Sequence, residues 1–366
     1  MPTASVDTNP SLGLKLQNFL FMTGLFGLIL GVNIGGILCN LGGSRIYVLA
    51  LYASVRCLTP GGRWGSEKTP SGGAWRWFTE DLFFTAAAMR RYLGLGFADL
   101  PDEFVAAEAE PGAQFVLAAF PHGCASDFRI LMDGMLREVC PNLIERNAVR
   151  TLAASVLFRI PVVREMTLWT GGIDARRSVA EAALADRKSL LVLPGGEAEQ
   201  LLTIYGKERV YLSKRKGFIK LAMRKGVPVV PIYVFGSSDA YYTYDQPSPS
   251  NNETNKRFDW TFYGFRHKLM KNLGICIPLY SGLWGFPHCP LPKKTTIVFG
   301  KPIRFAPSTK TRASKKTQSD SSASTGFEPT AEELDEGHAL FVKELTALFD
   351  AHKTALGYGD RTLEVV

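Results

Sequence analysis

QFVLAAFPHG, residues 114–123, carries the clearest structural signal in this chain. Gln114–Phe120 is a short, almost wholly apolar run that stops at a proline, the pattern of a strand buried on both faces. Past its end stand Pro121, His122 and Gly123, and His122 is one of five histidines in the sequence. Comparable runs recur downstream at Ser189–Leu193 (SLLVL), halted by Pro194-Gly195-Gly196, at Val229–Phe235 and at Thr295–Phe299 (TTIVF). Stretches of helical period lie between them, among them Phe128–Val139, Ser178–Asp186 and Phe218–Arg224. Short apolar strands alternating with helices predict an α/β fold, a mostly parallel sheet with flanking helices. Ligands of such sheets meet the loops beyond the carboxyl ends of the strands, which directs attention to the Pro121–Gly123 turn.

Upstream, no residue from Leu16 to Ser44 carries a charge, and Phe19–Leu30 is almost unbroken in its apolar character. That run exceeds the ~20 residues a helix needs to cross bilayer hydrocarbon, and it lacks the polar face of a soluble core helix. A secretory signal is the competing reading, but its apolar part would be ~7–15 residues followed by a small-x-small cleavage site. A retained membrane helix is therefore predicted. Gly27, Gly31, Gly35, Cys39 and Gly43 form a stripe that admits a second helix backbone, or simply reflect glycine's frequency in membrane helices. A second apolar stretch, Ile46–Val55, is too short to cross unaided, so the anchor over 16–62 is one span or a hairpin. Arg45, Arg56 and Arg63 favour the cytosol for the rest of the chain.

The organisation read from these shifts is a polar tail (1–15), the anchor (16–62), a main domain (74–307), a disordered Ser/Thr/Lys-rich insertion (308–328) and a C-terminal helix (329–366). Thr330 is the expected N-cap of that helix, and Leu334, Phe341, Leu345, Leu348 and Phe349 share the face that packs on the main domain. Tyr244–Asn255 is a polar loop, and a cytosolic location leaves its Asn252-Glu253-Thr254 sequon a chance match. The whole chain has 366 residues, 46% hydrophobic and 21% charged, with a formal net charge of +8. This composition excludes a disordered chain and a polytopic membrane protein. Six cysteines form no C-x-x-C pair and no disulfide-like spacing, as in a reduced compartment. The positive balance asks for an anionic partner: nucleic acid, a membrane surface or a phosphate-bearing substrate.

Several constellations can carry chemistry. His122, in a turn after a strand, can take a proton from an attacking hydroxyl, and Asp127 can fix its tautomer and stabilise the imidazolium. A turn histidine and a surface aspartate are the plain alternative. Pro194-Gly195-Gly196-Glu197-Ala198-Glu199 also follows a strand. Its glycines allow backbone approach to an oxyanion or phosphate, or merely serve a tight turn, and Glu199 opens the next helix. Lys214, Arg215, Lys216, Lys220, Arg224 and Lys225 form a positive patch suited to coenzyme A phosphates or an anionic membrane, although charge runs are commonly solvated faces. Gly236-Ser237-Ser238-Asp239-Ala240 is one residue from the G-x-S-x-G elbow, with Asp259 and then His267 or His288 in hydrolase order, but the last glycine is missing. His338 and His352 share helical spacing with leucines and read as packing residues. No zinc spacing, P-loop or dinucleotide fingerprint occurs, so neither metal nor cofactor is expected.

In combination these motifs become specific. Phe120–Gly123 (FPHG), Leu157–Glu165 (LFRIPVVRE) with Trp169–Gly172 (WTGG), and Leu193–Glu199 (LPGGEAE) resemble the type 2 diacylglycerol acyltransferase family. So do Arg215–Ala222 (RKGFIKLA), Val230–Gly236 (VPIYVFG), Phe299–Ile303 (FGKPI) and the helix around His338-Ala339-Leu340, in order over nearly the whole chain. The resemblance implies a glycerolipid-acyltransferase-like fold and an enzyme of the endoplasmic-reticulum membrane and lipid-droplet surface, its catalytic domain facing the cytosol. It implies transfer of a fatty acyl group from acyl-CoA to 1,2-diacylglycerol, giving triacylglycerol and CoA. Monoacylglycerol and long-chain alcohols are alternative acceptors, and a serine esterase using Ser238 is the remote alternative. The family's His-Pro-His-Gly motif maps onto Phe120–Gly123 with phenylalanine in place of the first histidine, which leaves His122 as the essential base. The spacing from His122 to Asp127 instead looks like the wider glycerolipid acyltransferases. On this reading Asp127 orients His122. Pro121, Gly123, Gly195, Gly196 and Glu199 shape the substrate pocket, and Arg215 and Lys216 meet the CoA phosphates. The expected partners are acyl-CoA, diacylglycerol and a lipid surface, with no nucleic acid and with homo-oligomerisation left open.

Overall fold

The computed structural model of the chain describes residues 10–38, 52–54, 56–63, 65–75, 77–82, 84–244, 265–266, 268–269, 272, 276, 278–305 and 328–366. Most of the second apolar stretch, the polar loop from 245 with its sequon, the insertion at 308–326, and His267 lie outside the described residues. The principal helices are α1 (Leu12–Leu38), α2 (Phe84–Leu93), α3 (Asp102–Ala109), α4 (Asp127–Asp133), α5 (Pro141–Glu145), α6 (Val163–Trp169), α7 (Arg177–Ala185), α8 (Gly196–Leu202), α9 (Gly217–Lys225) and α10 (Ala331–Lys353). The strands are β1 (Gly96–Phe97), β2 (Val116–Phe120), β3 (Val149–Ala153), β4 (Gly172–Asp174), β5 (Ser189–Val192), β6 (Glu208–Val210), β7 (Val229–Phe235), β8 (Tyr242–Thr243), β9 (Tyr280–Ser281), β10 (Thr296–Phe299) and β11 (Leu363–Val365).

The main sheet runs β1-β10-β7-β2-β5-β3-β4. The strands from β7 to β4 are parallel to one another, and β10 joins β7 antiparallel, so the fold is α/β with a mostly parallel sheet. The chain leaves β2 for β3 on one side, returns to β5, and then crosses to β7 on the other side of β2. Crossovers thus diverge about β2, and a crevice opens at its carboxyl end. Alternate residues of each central strand face opposite sides. Leu117, Ala119, Leu191, Val230, Ile232 and Ile297 enter one core, shared with Met89, Phe104 and Met132 from α2, α3 and α4. Val116, Ala118, Phe120, Leu190, Val192 and Tyr233 enter the other, shared with Ala183, Ile219, Phe341, Leu345 and Phe349 from α7, α9 and α10. Being covered on both faces, these strands read as continuous apolar runs, which is why they were legible.

Helix ends follow local chemistry. At α10, Thr330 Oγ1 accepts from Glu333 N–H at 3.2 Å and Glu333 Oε2 accepts from Thr330 N–H at 2.9 Å, a reciprocal capping box. The expected helix Phe128–Val139 is broken after Asp133, because Gly134 packs bare against the Thr79 carbonyl, 2.7 Å from where a Cβ would stand. A separate 3₁₀ turn, Leu136–Glu138, completes the segment. The short strands β1, β4, β6, β8, β9 and β11 escaped the sequence reading, since two or three residues carry no measurable period, and so did β3, whose apolar character is interrupted by Arg150 and Thr151.

Residues Leu12–Asn33 of α1 are long and apolar enough to cross a membrane. This helix also touches the sheet domain near both ends. Leu14, Phe19 and Met22 pack on the first core, Thr23 Oγ1 lies 2.9 Å from His288 Nε2, and Asn33 Nδ2 donates to the Pro161 carbonyl at 3.2 Å. Its outward side chains, including Leu12, Leu16, Leu20 and Leu28, remain exposed. No atom lies within 4 Å of the Cβ positions of Gly24, Gly27 or Gly31, so among the described residues no helix uses that part of the glycine stripe.

Candidate active site

β2 and β5 are neighbours, with Ala118 beside Val192, so the turns that follow them lie side by side. β7, on the other flank of β2, brings Gly236 and Ser237 to the same end of the sheet. After β2 the Phe120–Pro121 peptide is cis and Gly123 takes a φ of 68°. A Cβ at Gly123 would stand 3.0 Å from the Ser237 carbonyl oxygen, so this position needs both a left-handed backbone and a bare Cα. The Ser237 hydroxyl donates to the Pro121 carbonyl at 3.4 Å, joining the two turns a second time.

Glu199, on α8, reaches across from the β5 turn and is 1% exposed. Its Oε1 accepts the His122 backbone N–H, and its Oε2 accepts the Tyr211 N–H at 2.7 Å. Burial pushes this carboxyl up to about 7, against the two amides and the nearby Arg215, which favour the charged form. Gly195 makes the arrangement possible, because the carboxylate lies so close to its Cα that any Cβ would collide with it. The Gly195 carbonyl accepts from Arg215 Nη2 at 3.2 Å, and the guanidinium lies 5.0 Å above the Tyr211 ring.

The imidazole of His122 lines a small, partly open cleft together with Leu93, Gly123, Ser237, Tyr241 and Thr295. Its Nδ1 is 3.1 Å from the Gly123 carbonyl oxygen. A carbonyl only accepts, so Nδ1 is assigned the proton and Nε2 the lone pair. Burial pulls the imidazole down to about 4, overriding the opposite pull of the Gly123 carbonyl, so the ring is neutral at pH 7. A neutral histidine whose Nε2 carries the lone pair can abstract a proton from a hydroxyl.

Over residues 105–366 the chain matches the family described as diacylglycerol acyltransferase. The chain belongs to that family. Similar proteins of this family include diacylglycerol O-acyltransferase 2 of Danio rerio, 29% identical over 68% of this chain and 64% of its own length. Diacylglycerol O-acyltransferase 2 of Homo sapiens is 31% identical over 58% of this chain and 49% of its own. Diacylglycerol O-acyltransferase 1 of Eremothecium gossypii is 31% identical over 57% and 41%. The chain thus spans about half the length of the curated relatives it matches. The solved 1-acyl-sn-glycerophosphate acyltransferase PlsC of Thermotoga maritima aligns over 91% of this chain at a TM-score of 0.36 and 15% identity, too loosely to carry an argument.

In this acyltransferase-family chain Pro121, His122, Gly123, Gly195, Glu199 and Arg215 form one connected cluster. The remaining expected residues stand apart. Asp127 opens α4, but its side chain lies outside the described residues. Lys216 pairs with Asp335 at 2.5 Å, Lys220 with Glu328 at 2.6 Å, and Arg224 with both Glu328 and Glu181, so much of the positive patch is matched by acidic residues. Gly195 and Gly196 do not line the cleft. Ser238 is 2% exposed with its hydroxyl toward Glu208, and His288 faces α1 and not Ser238. His338 Nε2 and His352 Nδ1 sit 2.9 Å from the Leu212 and Leu348 carbonyls, as packing histidines.

Sequence reasoning missed Tyr211, which contributes only a backbone N–H and leaves no side-chain signature, and named Ser237 only within the hydrolase-like motif, not as the residue whose hydroxyl and carbonyl meet the Pro121–Gly123 turn. It also missed Arg361, whose Nη1 reaches Glu208 at 2.8 Å and Asp239 at 2.9 Å beneath the same loops. Arg164 and Glu165 of the LFRIPVVRE motif serve elsewhere. Arg164 donates to Glu165 and to the Gly61 and Arg63 carbonyls, while Glu165 accepts from Tyr52, holding residues 52–67 on α6.

Proposed function

We propose that this chain is an acyl-CoA-dependent diacylglycerol O-acyltransferase, and that His122 is its general base. The observation that supports the proposal is the His122 imidazole lining a cleft at the divergence of the crossovers, with Nδ1 held at the Gly123 carbonyl. In the proposed reaction Nε2 takes the proton of the 1,2-diacylglycerol hydroxyl as that oxygen attacks the thioester carbonyl. The carbon–sulfur bond then breaks, and the CoA thiolate leaves with the proton from the imidazolium, so the histidine is restored. Leu93, Phe128 and Tyr241 offer an apolar wall for the glyceride body. Glu199 and Gly195 hold the turn, and Asp127 at the head of α4 supports the imidazolium. Monoacylglycerol or a long-chain alcohol presents the same hydroxyl on an apolar body, and a competition assay with all three acceptors ranks them. The same family membership supports a glycerolipid-acyltransferase-like fold.

The proposed setting of the reaction is a membrane surface. The exposed apolar side of α1 and the neighbouring Trp284 and Phe286, packed against Phe19 at 5.0 and 5.1 Å, form one continuous surface suited to lipid. The endoplasmic reticulum and lipid droplets, with the catalytic domain in the cytosol, are the proposed location. The test is His122→Ala in microsomes, with CoA release followed by a thiol reagent. The variant is expected to accumulate normally and to lose at least ~100-fold of its triacylglycerol synthesis, within the usual range for a general base. Retained activity would overturn the mechanism, and inactivation by Ser238→Ala instead would favour a hydrolase.

A further inference from the structure

The acyl donor proposed above ends in a nucleotide bearing phosphates, and the positive patch at 214–225 is poorly placed to meet it. Lys216, Lys220 and Arg224 are held by Asp335, Glu328 and Glu181, and Arg215 is turned under the Gly195 carbonyl. Binding phosphate at those four residues would first require breaking these contacts; Lys214 and Lys225 are exposed without a carboxylate within 4.0 Å among the described residues, but no residue of the 214–225 run lines the His122 cleft. Lys293 and Lys294 adjoin Thr295, which does line that cleft. Both are exposed, and among the described residues neither has a carboxylate within 4.0 Å.

Their position follows from the topology. β10 runs antiparallel to β7, so its amino end, where Lys293 and Lys294 sit, lies at the carboxyl end of β7. Thr295, the next residue, lines the His122 cleft. The backbone fixes the pair there: a Cβ at Gly236, whose φ is 90°, would collide with the Lys294 carbonyl, and Thr295 N–H donates to the Leu93 carbonyl at 2.9 Å. Lys293 Nζ stands 6.0 Å above the Tyr205 ring, and Tyr205 packs at 4.7 Å on Tyr242, which is 45% exposed. Ammonium groups without a carboxylate partner, beside an exposed aromatic pair, suit a nucleotide's phosphates and base. In acyl-CoA the pantetheine arm separates the phosphates from the thioester, so the anion site belongs on the rim of the cleft and not beside the base.

We infer that Lys293 and Lys294 form the phosphate site for the nucleotide end of acyl-CoA. This rests on the transferase reading. The test uses the full-length protein and compares Lys293→Ala/Lys294→Ala with wild type and with Lys216→Ala. Because both lysines are exposed, the double variant is expected to fold. Its KM for acyl-CoA should rise at least tenfold with kcat within twofold. KM should also lose most of its salt dependence, because exposed charge attraction is screened by salt. Lys293→Arg/Lys294→Arg should restore KM, and Lys216→Ala should leave it unchanged. Dephospho-CoA should inhibit wild type more weakly than CoA, and that difference should vanish in the double alanine variant. An unchanged KM in the double variant of an active enzyme overturns the inference alone. Absence of CoA release by wild type sinks the transferase reading, and this inference with it.

Discussion

Because Glu199 accepts one amide hydrogen on each oxygen, from His122 and from Tyr211, it holds the His122 turn only while both oxygens are free to accept. Protonation converts one oxygen into a donor facing an N–H group. With this carboxyl at about 7 and the His122 imidazole at about 4, it is Glu199 and not His122 that titrates near neutrality. We therefore expect kcat/KM to rise with pH through about 7. In Glu199→Gln that limb should disappear and activity should fall roughly 10- to 100-fold, since an unsatisfied buried amide costs about 1–3 kcal/mol. A profile governed by an ordinary histidine, with its limb at 6.5, would contradict both assignments. Stability carries opposite signs for the two groups. The native state retains a proton on Glu199 that the unfolded chain releases above 4.5, so this contribution falls as pH rises towards 7. Native His122 lacks a proton that the unfolded chain binds below 6.5, so its contribution falls as pH drops towards 4. Between 4.5 and 6.5 the two oppose each other, and His122→Ala should expose a stability that declines with rising pH in urea titrations.

The site loops rest on an element remote in sequence. β11 pairs parallel with β6, and just before it Arg361 spans Glu208 and Asp239. Glu208 is itself 1% exposed and accepts from the Tyr233 hydroxyl at 2.7 Å. β6 leads directly to Tyr211, whose amide meets Glu199, while Asp239 lies in the turn after β7 that carries Ser237. The C-terminal strap therefore braces the turn after β7 and the strand that leads to Tyr211. Removing one partner of a buried ion pair typically costs about 3–5 kcal/mol, and Arg361, which is partly exposed, should cost towards the lower end. Arg361→Ala is expected to lower the urea midpoint of the full chain and to reduce kcat while leaving KM for acyl-CoA within threefold. A variant as stable and active as wild type would show that the strap does not support the site.

The molecule as a whole combines a net charge of +8 with an apolar helix laid against its domain. A helix of this length is about 40 Å at 1.5 Å per residue. Its contacts with Pro161 near one end and with His288 near its middle would carry the domain surface to any bilayer that takes up the helix. Membrane binding should accordingly have an apolar part that survives high salt and an electrostatic part that does not. Flotation with anionic vesicles at high salt should retain wild type and lose Leu16→Lys/Leu20→Lys, whose positions are 48% and 61% exposed. Equal flotation of the two would argue against the α1 surface as the contact.

How much of this was legible from residues alone depends on where each signal resides. The four buried strands, the long apolar helix and the Thr330 cap announce themselves through composition and short-range spacing, because burial on two faces, helix length and orphan helix amides act on neighbouring residues. The same local chemistry picked out His122 and Glu199 as polar residues in turns after apolar strands. What they do there depends on register. Only the pairing of β2 with β5 sets Glu199 on the His122 amide, and only the antiparallel return of β10 sets Lys293 and Lys294 on the cleft rim. The basic run at 214–225 shows the converse. Its charge is conspicuous in the sequence, yet α10, Glu181 and Glu328 supply carboxylates against much of it. Local chemistry names the groups available, and long-range packing settles which of them are satisfied and which are left free to meet a substrate.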